Sequence, residues 1–285
     1  MLYIFLAGVL WGGIGLFVKE LSALGASPDV ICTMRMFSAF VIMLAAALAK
    51  HGKRVILTDK KALFFCALLG IVSNGLFNIF YTASIRINGM GIASVLMYTA
   101  PVFTAIASGI IFREKFLGLK IFALVMNIAG CILTVTGGNL SLSALNLTGL
   151  LMGLGSGFGY GMAAVFGRLA GDRTDAVITS VYSYMFAFVF LMVCLRPDVA
   201  PVMGSAEILG WGFMYGLIPT ALAYMFYYTG IKRIPDTSRV PVIASIEPVT
   251  AVLIGMVLYG EKLGAGNCAG VIVVLVSIAL TVKAE

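Results

Sequence analysis

Apolar runs about 20 residues long recur along this 285-residue chain, and each is continuous, not alternating. No other feature constrains the fold as tightly. At ~1.5 Å per residue, such a run crosses the ~30 Å hydrocarbon core of a bilayer as a helix. Lipid offers no partner to free backbone N–H and C=O groups, so only helices and closed barrels can span it. Barrel strands are short and alternate in polarity, and these runs do neither. Ten spans are read, at roughly 2–19, 28–49, 62–85, 89–112, 117–137, 148–168, 176–195, 206–231, 237–259 and 264–282. Composition agrees: 61% of residues are hydrophobic and 11% charged, too apolar for a soluble surface. The expected fold class is an all-α membrane protein of ten transmembrane helices with no soluble domain inserted. The first run starts at Met1 without a preceding basic segment, so it reads as a retained helix, not a signal peptide.

Basic residues set the expected topology. With the N-terminus inside, the inner loops hold 13 of the 19 Lys and Arg, including Lys50, Lys53, Arg54, Lys60, Lys61, Arg113, Lys115, Lys120, Arg168 and Arg173. The outer loops hold Arg86, Arg196 and Lys262. Both termini are therefore expected to be cytoplasmic. The net charge of +7 reflects this asymmetry, and no nucleic-acid partner is implied.

Within this array one stretch is written twice. Tyr81 to Lys115 reads Y-T-A-S-I-R-I, an apolar segment holding Pro101, then R-E-K; 147 residues later, Tyr228 to Lys262 reads Y-T-G-I-K-R-I, an apolar segment holding Pro248, then G-E-K. A repeat this long implies duplication of a structural unit. The division expected is a first five-helix repeat at 1–137, a linker at 138–147 and a second repeat at 148–285. Five spans separate the copies, and five is odd, so the second enters the membrane inverted. Inverted repeats can exchange roles on opposite faces, which is the physical basis of alternating access, with substrate held near the midplane between them.

Ten helices in two repeats, W-G-G at Trp11 to Gly13, and S-I-E-P at Ser245 to Pro248 followed by G-E-K at Gly260 to Lys262 resemble the EamA branch of the drug/metabolite transporter superfamily. The resemblance covers essentially the whole chain. It implies a small-molecule carrier of the bacterial cytoplasmic membrane, often an exporter, with a central cavity lined by both repeats. It carries over to Trp11, Gly12, Glu247, Pro248, Glu261 and Lys262.

Glu247 is the sharpest chemical candidate. It lies about ten residues into its span, near the midplane, where a carboxylate costs several kcal/mol unless paired, hydrogen-bonded or protonated. It can titrate a proton or bind a substrate amine, or it can tie down the helix that Pro248 breaks. Arg35, two turns into the second span, stays charged and offers a fork of donors to a substrate carboxylate or to Glu247. Asn74, Asn78 and Tyr81 share one helix face and are read as cavity-lining. Tyr98, Tyr160, Tyr182 and Tyr224 join them, and Trp11 completes the set. Pro101, Pro219 and Pro248 are candidate hinges, and Glu114 and Glu261 candidate anchors or gates. The glycines of G-L-G-S-G-F-G-Y-G (153–161) form a close-packing stripe, not a nucleotide loop. The five cysteines, without C-x-x-C spacing, are read as inert core residues. The one histidine, His51, sits in a loop, so no metal site or cofactor is expected.

The expected function is secondary transport of a small metabolite, an amino acid or similar zwitterion, outward across the cytoplasmic membrane. No ATP-binding segment is present, so protons, exchange or the substrate gradient must drive it. A monomer in the lipid bilayer suffices. A channel-like or facilitative uniporter is the alternative; an intramembrane enzyme lacks a catalytic constellation.

Overall fold

The structure, a computed structural model, describes residues 1–55, 59–115, 118–139 and 146–283. Among these residues ten helices are long and apolar enough to cross a membrane and no strand occurs. They are α1 (Leu2–Ala23), α2 (Pro28–His51), α3 (Lys60–Asn88), α4 (Met90–Phe112), α5 (Gly118–Thr136), α6 (Leu147–Gly171), α7 (Ala176–Leu195), α8 (Ala206–Ile231), α9 (Thr237–Tyr259) and α10 (Ala265–Lys283). All ten expected spans are found; α1 runs four residues further than expected, past Lys19 and Glu20. The linker expected at 138–147 lies largely outside the described residues.

Short polar side chains start these helices by accepting the backbone N–H groups that the first turn leaves unpaired. Ser27 accepts from Val30 N, with Pro28 at the first helical position; Asp59 accepts from Lys61 N, Asn146 from Thr148 N, and Asp175 from Ile178 N. The helices are not regular throughout. α3 widens into a π-helical turn at Leu69–Leu76, and α8 does so at Leu217–Leu222, where Pro219 withholds an N–H. In each turn a polar side chain takes the carbonyl five residues back: Asn74 Nδ2 donates to Leu69 O at 3.2 Å, and Thr220 Oγ1 to Tyr215 O at 3.0 Å.

α4 breaks at Tyr98, with ψ of 5°, and α9 breaks at Ser245, with ψ of 7°; the two sites are 147 residues apart. Pro101 and Pro248 stand just inside the helical segments that follow, at positions where a missing N–H costs little. α3 packs on α6 and α8 on α1, α4 on α6 and α9 on α1, α2 on α7, and α5 on α10. Adding five to each helix number maps these pairings onto themselves. The core lies where α1, α2, α7, α8 and α9 meet. Of the cysteines expected in the core, Cys66 and Cys131 are buried and Cys32 is half-buried, whereas Cys194 and Cys268 are exposed. In a membrane protein an outward apolar face suits a thiol as well as the interior does.

Candidate functional site

Glu247 sits in the first turn of the second segment of α9, Ile246–Tyr259. The break at Ser245 gives this carboxylate a helix N-terminus inside the membrane, whose partial positive charge favours an anion. Its Oε2 accepts a 2.6 Å hydrogen bond from Tyr160 of α6. Asn127 of α5 secures the break: its Nδ2 donates to Ser245 Oγ and, at 2.9 Å, to Ser277 Oγ of α10. On the other side α1 comes against α9 so closely that a Cβ at Gly12 would collide with Glu247 O and Thr250. Glycine is required there by contact, not by dihedral angle.

Arg35 is buried on α2 with 5% of its surface exposed. The expected pairing with Glu247 is not made. Arg35 Nε instead donates to Thr220 Oγ1 at 2.8 Å, Nη1 to Tyr215 OH at 3.4 Å, and the guanidinium lies 5.1 Å from the Tyr215 ring centre. Packing of α2 against the π-turn of α8 decides this, because it puts a hydroxyl within reach of the fork before any carboxylate. Among the described residues no ion pair neutralises either Arg35 or Glu247.

An aromatic cluster joins the two charges. Trp11 lies 4.9 Å from the ring of Tyr224, 4.9 Å from Tyr227 and 5.9 Å from Tyr160. Tyr224 lies edge-on to Tyr184 at 5.9 Å, and Tyr184 OH donates to Thr220 O, next to the group that holds Arg35. Trp11 Nε1 is buried without a hydrogen-bond partner among the described residues. Phe77 extends the wall from Tyr160 to Tyr81, whose hydroxyl shares a 3.0 Å hydrogen bond with Ser94. Tyr98 packs beside Ile246 in the same apolar cluster.

Other candidates lie elsewhere. Asn74 is spent on the π-turn of α3, and Asn78 Nδ2 donates to Asn74 O at 2.6 Å. Asn78 borders a cavity of about 130 Å³ shared with Asp29, Cys32, Thr82 and Arg86, toward the ends of α2 and α3, away from Glu247. Tyr182 donates to Val55 O, which ties α7 to the α2–α3 connection. Residues two apart on a helix point to different sides, and it is Tyr184 that faces Tyr224 and Thr220. Sequence reasoning missed Thr220, Tyr215 and Asn127, and it noted Tyr184 and Tyr227 as phenols without choosing them for the site. Asn127 carried a readable signal, an amide alone in an apolar run. The others depend on which helices face one another. Among the described residues no group of His, Cys, Asp or Glu could hold a metal ion.

A crystal structure matches the chain with a TM-score of 0.83 at 16% identity, covering 100% of this chain and 98% of that one, which shows a shared fold. An uncharacterized transporter of Archaeoglobus fulgidus is 26% identical over 95% of this chain and 94% of its own length. The uncharacterized inner membrane transporter YedA of Escherichia coli K12 is 26% identical over 90% and 81%. The threonine/homoserine exporter RhtA of Salmonella typhimurium is 28% identical over 68% and 62%. The model of the EamA-like transporter family matches residues 1–136 and 147–283. These relatives are named as transporters, not enzymes, and with ten apolar helices they make this chain a multi-pass protein of the cytoplasmic membrane. A half-buried acid and a buried base, held apart by an aromatic wall inside a ten-helix bundle, thus stand in a membrane transporter, and the chain belongs to the EamA-like transporter family.

Proposed function

We propose that the chain is a secondary active exporter of a neutral amino acid or similar zwitterion, working by alternating access. One observation carries the substrate class: Glu247 and Arg35 are opposite charges, each without an ion-pair partner among the described residues, at the two ends of one aromatic cluster. A charge inside the membrane without a counter-charge is costly, and a ligand with both signs relieves both sites at once. The substrate ammonium goes to Glu247 and the rings of Trp11 and Tyr160, which favour a cation over their faces. The substrate carboxylate goes to the Arg35 fork. The similarity to RhtA, named as a threonine/homoserine exporter, supports the same class.

Alternating access is supported by the self-mapping helix pairings and by the matched breaks at Tyr98 and Ser245. In this reading the halves are inverted copies that rock about the site, hinged at Pro101, Pro219 and Pro248. The face carrying Glu114, Arg168, Lys120 and Lys232 is cytoplasmic, as its surplus of basic residues requires. Glu247 exchanges a proton for the substrate ammonium, which couples export to proton entry. The unit is a monomer.

The test is counterflow of labelled threonine and homoserine in liposomes. Wild type should show saturable flux, and Glu247→Gln should lower it about a hundredfold, the loss expected for one charge-assisted buried contact of ~3 kcal/mol. A folded wild type that moves no neutral amino acid overturns the substrate class. Unchanged pH dependence of the residual flux in Glu247→Gln overturns the proton role.

A further inference from the structure

The ends of α4 and α9 carry the same parts, joined in one case and separate in the other. Just past α4, the Glu114 carboxylate accepts from Arg168 Nη1 at 2.8 Å, from Thr237 N at 2.7 Å and from Ser238 N at 3.1 Å. The last two belong to the unpaired first turn of α9. Arg168, near the end of α6, also donates to Pro235 O and Thr237 Oγ1, and its guanidinium lies 4.2 Å from the Phe112 ring centre. α4, α6 and α9 are locked together on this face.

The 147-residue offset takes Glu114 to Glu261, Phe112 to Tyr259, and Thr237 and Ser238 back to Met90 and Gly91. α1 and α6 correspond in a slightly different register, which their packing reveals. A Cβ at Gly12 would meet Glu247 O and Thr250, and one at Gly161 would meet Ala100 O and Phe103, the counterparts of those residues at 147. Gly12 therefore matches Gly161, an offset of 149, and the same offset takes Lys19 to Arg168. Lys19 Nζ lies 3.2 Å from the Tyr259 ring centre, just as Arg168 lies over Phe112. The second face thus has its acid, its base, its aromatic platform and an unpaired helix start at Met90 and Gly91.

These parts are not joined. Glu261 is exposed, and no ion pair involving it occurs among the described residues. Its carboxylate folds back against its own helix, into the space that Gly255 leaves by lacking a Cβ. Ser108 is the counterpart of Gly255, and it leaves no such space beside Glu114.

We propose that Glu114 and Glu261 are two halves of a reciprocal latch. In the opposite state of the cycle, Glu261 leaves Gly255, accepts from the N–H groups of Met90 and Gly91 and pairs with Lys19, while Glu114 releases Arg168, Thr237 and Ser238. The inference rests on the alternating-access reading above and not on the substrate. It also explains why the Glu114 latch is the closed one here. Arg168 Nη1 lies within reach of three acceptors at once while its guanidinium covers the Phe112 ring, whereas a lysine supplies a compact point charge.

The experiment measures the distance between spin labels at Ile87→Cys and Lys262→Cys on the Glu261 face, with the five native cysteines replaced, in lipid nanodiscs. Wild type should populate a long and a short distance. Glu261→Gln should reduce the short population about tenfold, and Glu114→Gln should raise it by a similar factor, the size expected for a charge-assisted hydrogen bond. Gly255→Ala should raise it too, since the only obstruction is the movable end of Glu261. The swap of Lys19→Glu with Glu261→Lys should restore part of what Glu261→Gln loses. Shifts in the same direction for the two glutamine variants, or none for Glu261→Gln, overturn the latch. A single distance in every variant overturns alternating access as well, and flux in liposomes still reports on the substrate class separately.

Discussion

α4 and α9 carry one sequence pattern 147 residues apart, and their likeness and unlikeness fall in different places. Both break three residues before a proline, with nearly the same dihedral angles, and both end on a left-handed residue. That residue is Gly260 (φ 66°) in α9, where no side chain resists, and Arg113 (φ 56°) in α4, which adopts a conformation that costs a non-glycine residue about 1 kcal/mol. The backbone path is thus kept even where the side chain disfavours it. The residue before the proline is Ala100 in α4 and Glu247 in α9. Ala100 is buried, with its carbonyl close against Gly161; Glu247 turns its carboxylate toward Tyr160. What the copies share holds the backbone, and what they do not share supplies the chemistry.

The largest effect that would break this comparison comes from the two glycines behind those residues. Gly161→Leu and Gly12→Leu each drive a side chain into a neighbouring backbone, and each should cost at least about 3 kcal/mol. Thermal unfolding in detergent should show similar losses for both. At a temperature where both remain folded, only Gly12→Leu should also abolish amino-acid binding, because it displaces Glu247. Equal binding in the two variants would mean that the halves do not differ in chemistry.

A smaller effect is expected at the base. Thr220→Val removes the hydroxyl that Arg35 Nε uses and leaves the shape nearly unchanged. Substrate affinity should fall about tenfold, in keeping with ~1.5 kcal/mol for a hydrogen bond to a charged group. Binding measured by thermal shift with threonine tests this, and an unchanged affinity would remove Arg35 from the site.

The smallest effect concerns the latched face. Asp236 accepts from Lys120 at 2.7 Å and from Arg239 at 3.0 Å. Burial alone would raise its pKa, but hydrogen bonds from Lys120 and Ser238, with the Lys120 charge, outweigh it and hold it at about 2. The folded value lies below the unfolded one, so this group's contribution is complete above the unfolded pKa of about 4 and is lost as pH falls toward 2. The stability difference between wild type and Asp236→Asn should be constant from pH 7 to about pH 5 and shrink below about pH 4. A difference that already shrinks at about pH 6 would mean that another group controls this face.

Much of the architecture was legible because its causes are local. Ten apolar runs need ten helices, since lipid satisfies no backbone group, and Pro101 and Pro248 mark breaks by withholding an N–H. Glu247 was legible for the same kind of reason, as a carboxylate at the depth where it costs most. Tyr182 and Tyr184 show the limit. Both are phenols in one helix, and only the rotation of α7 against α2 and α8 sends Tyr184 to Thr220 and Tyr182 to Val55. Asn74 looked like a cavity-lining amide because its side chain was counted on a regular helix face. The π-turn gave it a carbonyl of its own helix.

By itself, then, the sequence determined the membrane class, the number of helices, the duplication and the one acid that the duplication does not repeat, because each follows from solvent, length or identity along the chain. The tertiary structure decided that Arg35 binds a hydroxyl and not Glu247, that an aromatic wall separates the two charges, and that Glu114 is bonded to α6 and α9 while Glu261 lies against its own helix. Those outcomes depend on how helices rotate and slide against one another, by as little as the two residues between offsets of 147 and 149. Packing between glycine and backbone sets that register, and no pattern within a single helix records it.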